Sequence, residues 1–183
     1  EGDLPALVRC LTEHLGPQRL TRIHWHDSFG TVSLTADGVS LDLAMARQED
    51  YPLPAENPVV WPGTLATDLQ RRDFSINAMA LDLRTDALID PHGGQVALRT
   101  RSLEFLHPGS VADDPTRVIR AARYSARLGL DLSEESQSQL VRTLHGWPWP
   151  RDPVGSAWPP ALSTRLRMEL DRLFSNEPWR GAL

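Results

Sequence analysis

The order of hydrophobic patterns along the chain constrains its fold more than any other feature. Residues 29–35 and 39–46 have the pattern of two strands, and Asp37-Gly38 between them is typical of a two-residue hairpin turn. From residue 113 onward, apolar residues recur at helical spacing instead. Strands mixed with helices early in the chain, followed by helices alone, predict an α+β domain and then a helical one.

The clearest helix is predicted to begin at Asp113-Asp114-Pro115 and to end before Gly129. Aspartate is a good N-cap, proline suits the first turn, and glycine is a common C-cap. On a helical wheel the apolar residues cluster on one side and three arginines form a stripe on the other. The apolar set is Val118, Ile119, Ala122 and Ala126, and the stripe is Arg117, Arg120 and Arg123. We therefore expect the arginines on the polar face of this helix.

The remaining segments give weaker patterns. Leucines and a valine recur at helical spacing over residues 4–15, and Gly16-Pro17 should end that helix. Residues 48–63 are rich in proline and acidic residues, so we expect a loop there. Further predicted elements are short helices capped by Thr64 and by Asp73 or Ser75, strands at 80–83 and 87–89, a short helix with an extended piece within 93–106, helices at 134–145 and 162–173, and an irregular connection at 145–160.

Composition excludes several classes of protein. The 183 residues are 40% hydrophobic and 23% charged, which is ordinary for a globular protein of one or two domains. The formal net charge of −5 argues against a protein that coats nucleic acid by bulk charge, so any RNA contact must be local. No apolar stretch approaches the roughly 18 residues that span a membrane, and Glu1-Gly2-Asp3 does not open a signal peptide. We expect a cytoplasmic protein with no membrane partner, in which the single Cys10 forms no internal disulfide.

Two blocks of arginine and aspartate carry the chemistry that the sequence offers. They span residues 71–78 and 113–123. Arginine forks bind phosphates and base edges, and aspartates orient them or hold metal ions, so the blocks together predict a protein that handles nucleotides. Taken alone, the first block could equally be a helix-end ion-pair network. The second block, taken alone, is more often a well-capped helix with a charged outer face. Asp42 adds a carboxylate among small residues on the strand face away from the apolar row, where it could reach a ligand.

Other candidate features are weaker. His24-Trp25-His26-Asp27 offers no convincing third metal ligand, so a strand edge or loop is the better interpretation. Gly93-Gly94 lacks the strand–glycine–helix context of a dinucleotide fingerprint and is read as a turn. Three tryptophans could stack on bases, or pack against the domain that they cross: Trp147, Trp149 and Trp158.

Both blocks resemble motifs of one family. Arg-Arg-Asp-Phe-Ser-Ile-Asn-Ala at 71–78 resembles the second motif of class II tRNA nucleotidyltransferases and bacterial poly(A) polymerases. Asp-Asp-Pro-Thr-Arg-Val-Ile-Arg-Ala-Ala-Arg at 113–123 resembles their nucleotide-template motif. Further segments typical of the family occur in the usual order: Phe29-Gly30-Thr31-Val32, Ile89-Asp90-Pro91, Gly93-Gly94 and residues 165–170. The resemblance covers nearly the whole chain.

The resemblance implies a fold and a reaction. The fold is a small mixed-sheet, polymerase-β-like nucleotidyltransferase palm followed by an all-helical neck. Residues 1–108 would be an N-terminally incomplete head, and residues 109–183 the helical neck and the start of the body. The reaction is template-independent addition of C and/or A to the tRNA 3′ end from CTP and ATP, with two Mg²⁺ ions and release of pyrophosphate.

The resemblance also implies roles for individual residues. Asp114 and Arg117 would pair with the incoming base, because an aspartate accepts and a guanidinium donates hydrogen bonds. Nucleotide phosphate, triphosphate and ribose contacts would come from Arg72, Asp73, Asn77, Arg120 and Arg123. Asp42 aligns with the third carboxylate of the palm, which is a catalytic residue and metal ligand.

One departure from the family concerns the metal site. The family's two main metal-binding aspartates precede the residues that match Glu1-Gly2-Asp3, and the printed sequence does not contain them. We therefore expect a piece of a longer protein that is inactive alone. A bacterial poly(A) polymerase is the nearest alternative, and a non-catalytic RNA- or nucleotide-binding relative is another. The segment at 48–63 mildly disfavours an enzyme that adds only CC.

Overall fold

The first helix is formed as its sequence predicts. The computed structural model describes residues 3–26, 30–146, 159 and 161–176. Helix α1 spans Leu4–Arg19 and begins at Asp3, whose carboxylate accepts a hydrogen bond from the Ala6 backbone nitrogen at 3.2 Å. Gly16 has φ 72 and interrupts the helix at the predicted position.

A three-stranded antiparallel sheet follows α1. Its strands are β1 (Leu20–His26), β2 (Thr31–Ala36) and β3 (Val39–Ala44), in the order β1-β2-β3. Asp37 and Gly38 have φ 48 and 81, as a two-residue hairpin turn of the predicted kind requires. One face packs on α1 through a hydrophobic cluster of Leu4, Val8, Leu20, Val32 and Leu34. The other face is polar, because Ser33 pairs with Asp42 across the strands. His24 and His26 lie in β1, whereas Asp27, Phe29 and the three tryptophans of the connection lie outside the described residues.

The segment predicted as a loop at 48–63 begins and ends in strands of a second sheet, so that prediction was wrong at both ends of the segment. Strand β4 (Arg47–Asp50) pairs antiparallel with β5 (Val59–Pro62). Prolines concealed the pattern because Pro52 and Pro54 fall in the connection between the strands, and Pro62 stands at a strand end, where proline is tolerated.

Most of the next elements agree with the sequence prediction. Thr64 caps α2 (Leu65–Gln70) as expected, and Gly93 in the left-handed conformation precedes the next helix. The helix predicted to be capped by Asp73 or Ser75 is wrong: only a single 3₁₀ turn forms at Ser75–Asn77, and its N-cap is Phe74, without a side-chain cap hydrogen bond. The other elements up to residue 103 are β6 (Ala80–Asp82), β7 (Ala87–Ile89), α3 (Gly94–Thr100) and β8 (Ser102–Leu103).

The later part of the chain is mainly helical, as expected. A π-helical turn at Ala161–Arg165 leads into the last described helix. The elements are α4 (Ser110–Asp113), α5 (Thr116–Leu128), β9 (Asp131–Leu132), α6 (Glu134–Gly146) and α7 (Leu166–Asn176). Strand β9 pairs in parallel with β8, so this part is joined to the earlier one. Within the described residues, no helix is both long and apolar enough to cross a membrane.

Helix α5 is oriented differently from the sequence prediction. Its buried residues are Thr116, Arg117 and Ala121, whereas the predicted apolar set is only partly buried. Ala121 joins a core cluster with Phe74, Ile76, Ala97, Leu103 and Leu130, and Tyr124 packs against it. The arginine side of α5 therefore faces the interior, which is possible because buried carboxylates neutralise part of its charge.

Candidate functional site

The two arginine–aspartate blocks meet at one cavity. Its volume is about 780 Å³, and its walls come from β4, β5, the segment that follows α2, α5, α7 and the residues between these elements. Arginine side chains outnumber carboxylates in the lining, so the cavity favours an anionic ligand. All the predicted nucleotide-binding residues except Arg123 line it, namely Arg72, Asp73, Asn77, Asp114, Arg117 and Arg120.

The two arginines that follow α2 play different parts. Asp68 binds both of them, with its Oδ1 2.6 Å from Arg71 Nη2 and its Oδ2 2.6 Å from Arg72 Nη2. Burial alone would raise the pKa of Asp68, but hydrogen bonds from Arg72 and Arg71 hold that pKa below its usual range. Arg71 is largely enclosed, whereas the Arg72 side chain is 43% exposed and can offer its outer edge to a phosphate.

Asp73 connects the first block to α5. Its Oδ1 accepts hydrogen bonds from the Phe74 backbone nitrogen and from Asn77 Nδ2, both at 2.9 Å. Its Oδ2 accepts from Arg120 Nε at 2.6 Å and lies 2.5 Å from Arg120 Nη2. Burial opposes the charge on Arg120, but Asp73 raises the pKa of Arg120 above its usual value. Asp73 is thus an orienting group for Arg120 and Asn77.

A buried carboxylate from α7 contacts two of the three arginines in the stripe. Glu169 is paired with Arg123, lies 2.5 Å from Arg172 and contacts Arg120 at 3.5 Å. Arg123 is largely buried at this pair and does not line the cavity, unlike the other members of the predicted set. The sequence motif at 165–170 was recognised as typical of the neck, but its glutamate was not assigned to the site.

Asp114 and Arg117 lie on the same cavity wall. Asp114 Oδ1 accepts hydrogen bonds from the Thr116 backbone nitrogen at 3.0 Å and hydroxyl at 2.7 Å, and its Oδ2 lies 3.6 Å from Arg165 Nη1. Arg117 is only 5% exposed, and its Nη2 donates to the Arg71 carbonyl oxygen at 3.0 Å. Asp114 accepts hydrogen bonds and Arg117 donates them, so the two side chains together can recognise the polar edge of a base.

Strand β4 supplies a group of site residues that the sequence prediction missed. Glu49 accepts hydrogen bonds from Arg47 Nε at 2.9 Å, Arg71 Nη1 at 3.0 Å and Tyr51 Oη at 3.0 Å. Burial, together with the charge of Glu49, raises the pKa of Tyr51, so its phenol stays protonated at neutral pH. Arg47, Glu49 and Tyr51 are spaced two apart, and this alternation was the available signal for one strand face.

Asp42 lies in a neighbouring cavity. This cavity has a volume of about 390 Å³ and is lined by His26, Thr31, Ser33, Asp42 and Arg47. Arg47 also lines the larger cavity, so the two adjoin there. Asp42 Oδ1 accepts a hydrogen bond from Ser33 Oγ at 2.6 Å, and Ser33 Oγ lies 3.0 Å from His26 Nε2.

Asp42 can supply one carboxylate ligand to a metal ion. Among the described residues, however, no three or more histidine, cysteine, aspartate or glutamate side chains form a group that could hold one. The described part of the chain therefore does not contain a complete metal site.

Comparisons with known proteins agree on one family. Residues 6–104 match the family model described as the poly A polymerase head domain. The A-adding tRNA nucleotidyltransferase of Aquifex aeolicus is 37% identical over 79% of this chain and 18% of its own length. The CC-adding tRNA nucleotidyltransferase of Deinococcus radiodurans is 46% identical over 66% of this chain and 33% of its own length.

A solved structure shows the same fold. The apo form II of a CCA-adding enzyme superposes with a TM-score of 0.81 and 28% identity, over 100% of this chain and 41% of that one. This similarity confirms the predicted α+β fold. The chain thus spans between 18% and 41% of the lengths of these proteins.

Proposed function

The chain belongs to the poly A polymerase head domain family, and on that premise we propose that the protein of which it is part adds C and/or A nucleotides to the 3′ end of tRNA. CTP and ATP would be the donors, and pyrophosphate would leave. The A-adding and CC-adding relatives support this assignment, because both are tRNA nucleotidyltransferases. We also propose that residues 1–108 form the head and residues 109–183 the helical neck and the start of the body, joined by the core cluster around Phe74 and Ala121. We propose a cytoplasmic location as well.

One observation carries the proposal: the cavity combines cations for a triphosphate with a donor–acceptor pair for a base. Arg72 and Arg120 supply guanidinium groups that aspartates hold in place. Asp114 and Arg117 stand on the wall contributed by the start of α5. Cytosine and adenine offer an amino donor to Asp114, whereas uracil and guanine would present a carbonyl oxygen to the same carboxylate. The pair therefore favours CTP and ATP.

The roles of Asn77 and Arg123 complete the proposed nucleotide site. Asn77 donates to Asp73 and lines the cavity, so it can orient the ribose and phosphate contacts of Asp73 and Arg72. Arg123 lies behind Arg120 at their shared partner Glu169, from which it could add positive charge close to the triphosphate.

We further propose that Asp42 is a catalytic residue and one ligand of a divalent metal ion, with Mg²⁺ as the ion used. Its position on the polar sheet face, where the adjoining cavity shares Arg47 with the nucleotide cavity, supports this role. A bound Mg²⁺ would stabilise the charge that develops on the phosphate oxygens. Ser33 occupies only Oδ1 of Asp42, so within the described residues Oδ2 has no hydrogen bond that competes with a metal.

The test uses the intact parent protein with Mg²⁺ and labelled CTP or ATP. Its RNA substrates are tRNA transcripts that end before CCA, after the first C and after CC, together with an unrelated RNA. Addition of one to three defined nucleotides to tRNA alone would support the proposal, and the accepted transcripts would identify the subtype. Long A-tracts on any RNA would instead make the protein a poly(A) polymerase. No incorporation despite nucleotide binding would indicate a non-catalytic relative.

A further inference from the structure

Arg117 lines two cavities. One is the nucleotide cavity, and the second has a volume of about 360 Å³. Both include Arg117 and Arg71 in their linings. A guanidinium placed in this way could turn toward either cavity, so its orientation needs a physical cause.

Two contacts with Ser110 hold the Arg117 guanidinium in one orientation. Ser110 is the first residue of α4 and is fully buried. Arg117 Nη1 donates to Ser110 Oγ at 2.5 Å and lies 3.3 Å from the Ser110 carbonyl oxygen. Both acceptors therefore contact the same nitrogen, and Nη2 is tied to the Arg71 carbonyl oxygen. Charge-assisted hydrogen bonds of this kind are among the stronger ones in proteins.

His107 supports the same nitrogen from the second cavity. Its Nε2 lies 3.5 Å from Arg117 Nη1 and 3.6 Å from Asp113 Oδ2. Burial and the charge of Arg117 lower the pKa of His107, against the opposing effect of Asp113. A neutral imidazole can accept a hydrogen bond from Arg117, whereas an imidazolium could only donate. The His107 carbonyl oxygen accepts from Gln139 Nε2 at 2.6 Å, which fixes this segment to α6.

These contacts leave a defined edge of Arg117 for a ligand. A guanidinium has five N–H donors. The contacts from Ser110 and His107 involve Nη1, and the Arg71 carbonyl takes one donor of Nη2. Within the described residues, no hydrogen bond uses Nε. Nε and one Nη2 hydrogen are therefore the donors of Arg117 that could contact the nucleotide.

We propose that Ser110 and His107 are positioning residues that determine nucleotide specificity by fixing the orientation of Arg117. The inference rests on the proposed function, because it assigns to Arg117 the reading of a base. A fixed donor edge cannot rotate to suit a base that presents a different pattern beside Asp114. Loosening Arg117 should therefore reduce discrimination among bases more than it reduces the affinity for the triphosphate, which other arginines bind.

The experiment measures kcat/KM of the full-length enzyme for CTP, ATP, UTP and GTP on its tRNA substrate. Ser110→Ala should lower the ratio of CTP to UTP by roughly tenfold, the effect of losing one buried charge-assisted hydrogen bond. The change should follow the direction of Arg117→Ala. Ser136→Ala is the matched control, since Ser136 is also buried but its Oγ accepts from the Phe105 backbone nitrogen at 3.0 Å. This control should keep the wild-type ratio.

A second pair of variants guards against misfolding of Ser110→Ala. His107→Leu should lower the ratio, and His107→Gln should restore part of it because the glutamine carbonyl can accept from Arg117. Unchanged ratios in Ser110→Ala and His107→Leu, in an enzyme that still prefers CTP or ATP, would overturn the positioning role alone. A wild-type protein that incorporates no nucleotide, and whose affinities for all four nucleotides are equal by calorimetry, would overturn the proposed function and this inference together.

Discussion

Glu169→Gln should destabilise the protein because it removes the negative charge at the centre of a buried cluster. The Glu169 side chain is 7% exposed and faces Arg120, Arg123 and Arg172. Breaking a buried ion pair by removing one partner costs about 3–5 kcal/mol. Arg172 is 48% exposed and can turn to water, whereas Arg123 is 13% exposed and stays enclosed. We therefore expect a loss of about 2–3 kcal/mol, below the full value for an enclosed pair.

The assay is urea denaturation of the intact protein at pH 7, followed by circular dichroism. With a denaturant slope of about 2 kcal/mol per molar, the expected loss lowers the midpoint by roughly 1 M. Glu135→Gln is the matched control, because Glu135 is 82% exposed and pairs with the exposed Arg142 at 3.1 Å. An exposed pair contributes at most about 1 kcal/mol, so this control should move the midpoint by less than about 0.5 M.

Removing a second charge tests the cause of the loss. Arg123→Met in the Glu169→Gln background takes away the most enclosed cation, so the double variant should recover part of the stability. The reasoning would be refuted if Glu169→Gln shifted the midpoint no more than Glu135→Gln does. Recovery of stability in the double variant would instead show that the enclosed charge of Arg123 causes the destabilisation in Glu169→Gln.

Three further predictions follow from other parts of the structure. Asp42→Asn should raise the Mg²⁺ concentration needed for half-maximal turnover, whereas Asp37→Asn, in the turn between β2 and β3, should not. Equal metal titrations would exclude a metal role for Asp42. Asp68 has a lowered pKa, so its stabilising effect is present above the unfolded value of about 3.9 and is lost as pH falls through the lower folded value. The difference in unfolding free energy between wild type and Asp68→Asn should therefore be larger at pH 7 than at pH 3, and a difference independent of pH would contradict it. Gly94→Ala should cost about 1–3 kcal/mol, since its Cβ would lie 2.5 Å from the Ser75 carbonyl oxygen. Gly146→Ala should be close to neutral, because its Cβ would meet no atom of the described residues within 4 Å. Thermal unfolding of both variants compares them, and equal midpoints would refute the steric argument.

The arrangement of Arg71, Asp68 and Glu49 shows how structural and functional roles divide within one motif. Arg71 binds both carboxylates, and its carbonyl oxygen accepts from Arg117. Arg72 shares Asp68 but keeps an exposed edge in the cavity. Arg71 thus fits the interpretation as an ion-pair network, while the adjacent Arg72 keeps the exposed edge that the proposed ligand site requires. Asp68 serves both, because it anchors Arg71 and orients Arg72.

Local signals in the sequence were sufficient for the elements whose cause is itself local. The hairpin at Asp37-Gly38, the break at Gly16 and the C-cap at Gly129 depend on backbone conformations that these residues favour. The two motifs were likewise recognisable in the sequence, because each keeps its members within a few positions of the chain. These features were therefore predictable from residue type and spacing.

Contacts between distant segments were decided only by the tertiary structure. The pairing of β4 with β5 depends on partners such as Arg71 and Asp68, which the pattern of residues 48–63 does not reveal. The burial of Arg117 depends on Ser110 and on the Arg71 carbonyl oxygen, and a helical wheel assigns an arginine to the polar face regardless of such acceptors. A buried charge is stable only where oxygen atoms from other segments surround it. The sequence alone identified the charged groups of this protein, and the fold determined which of them are enclosed supports and which remain available to a ligand.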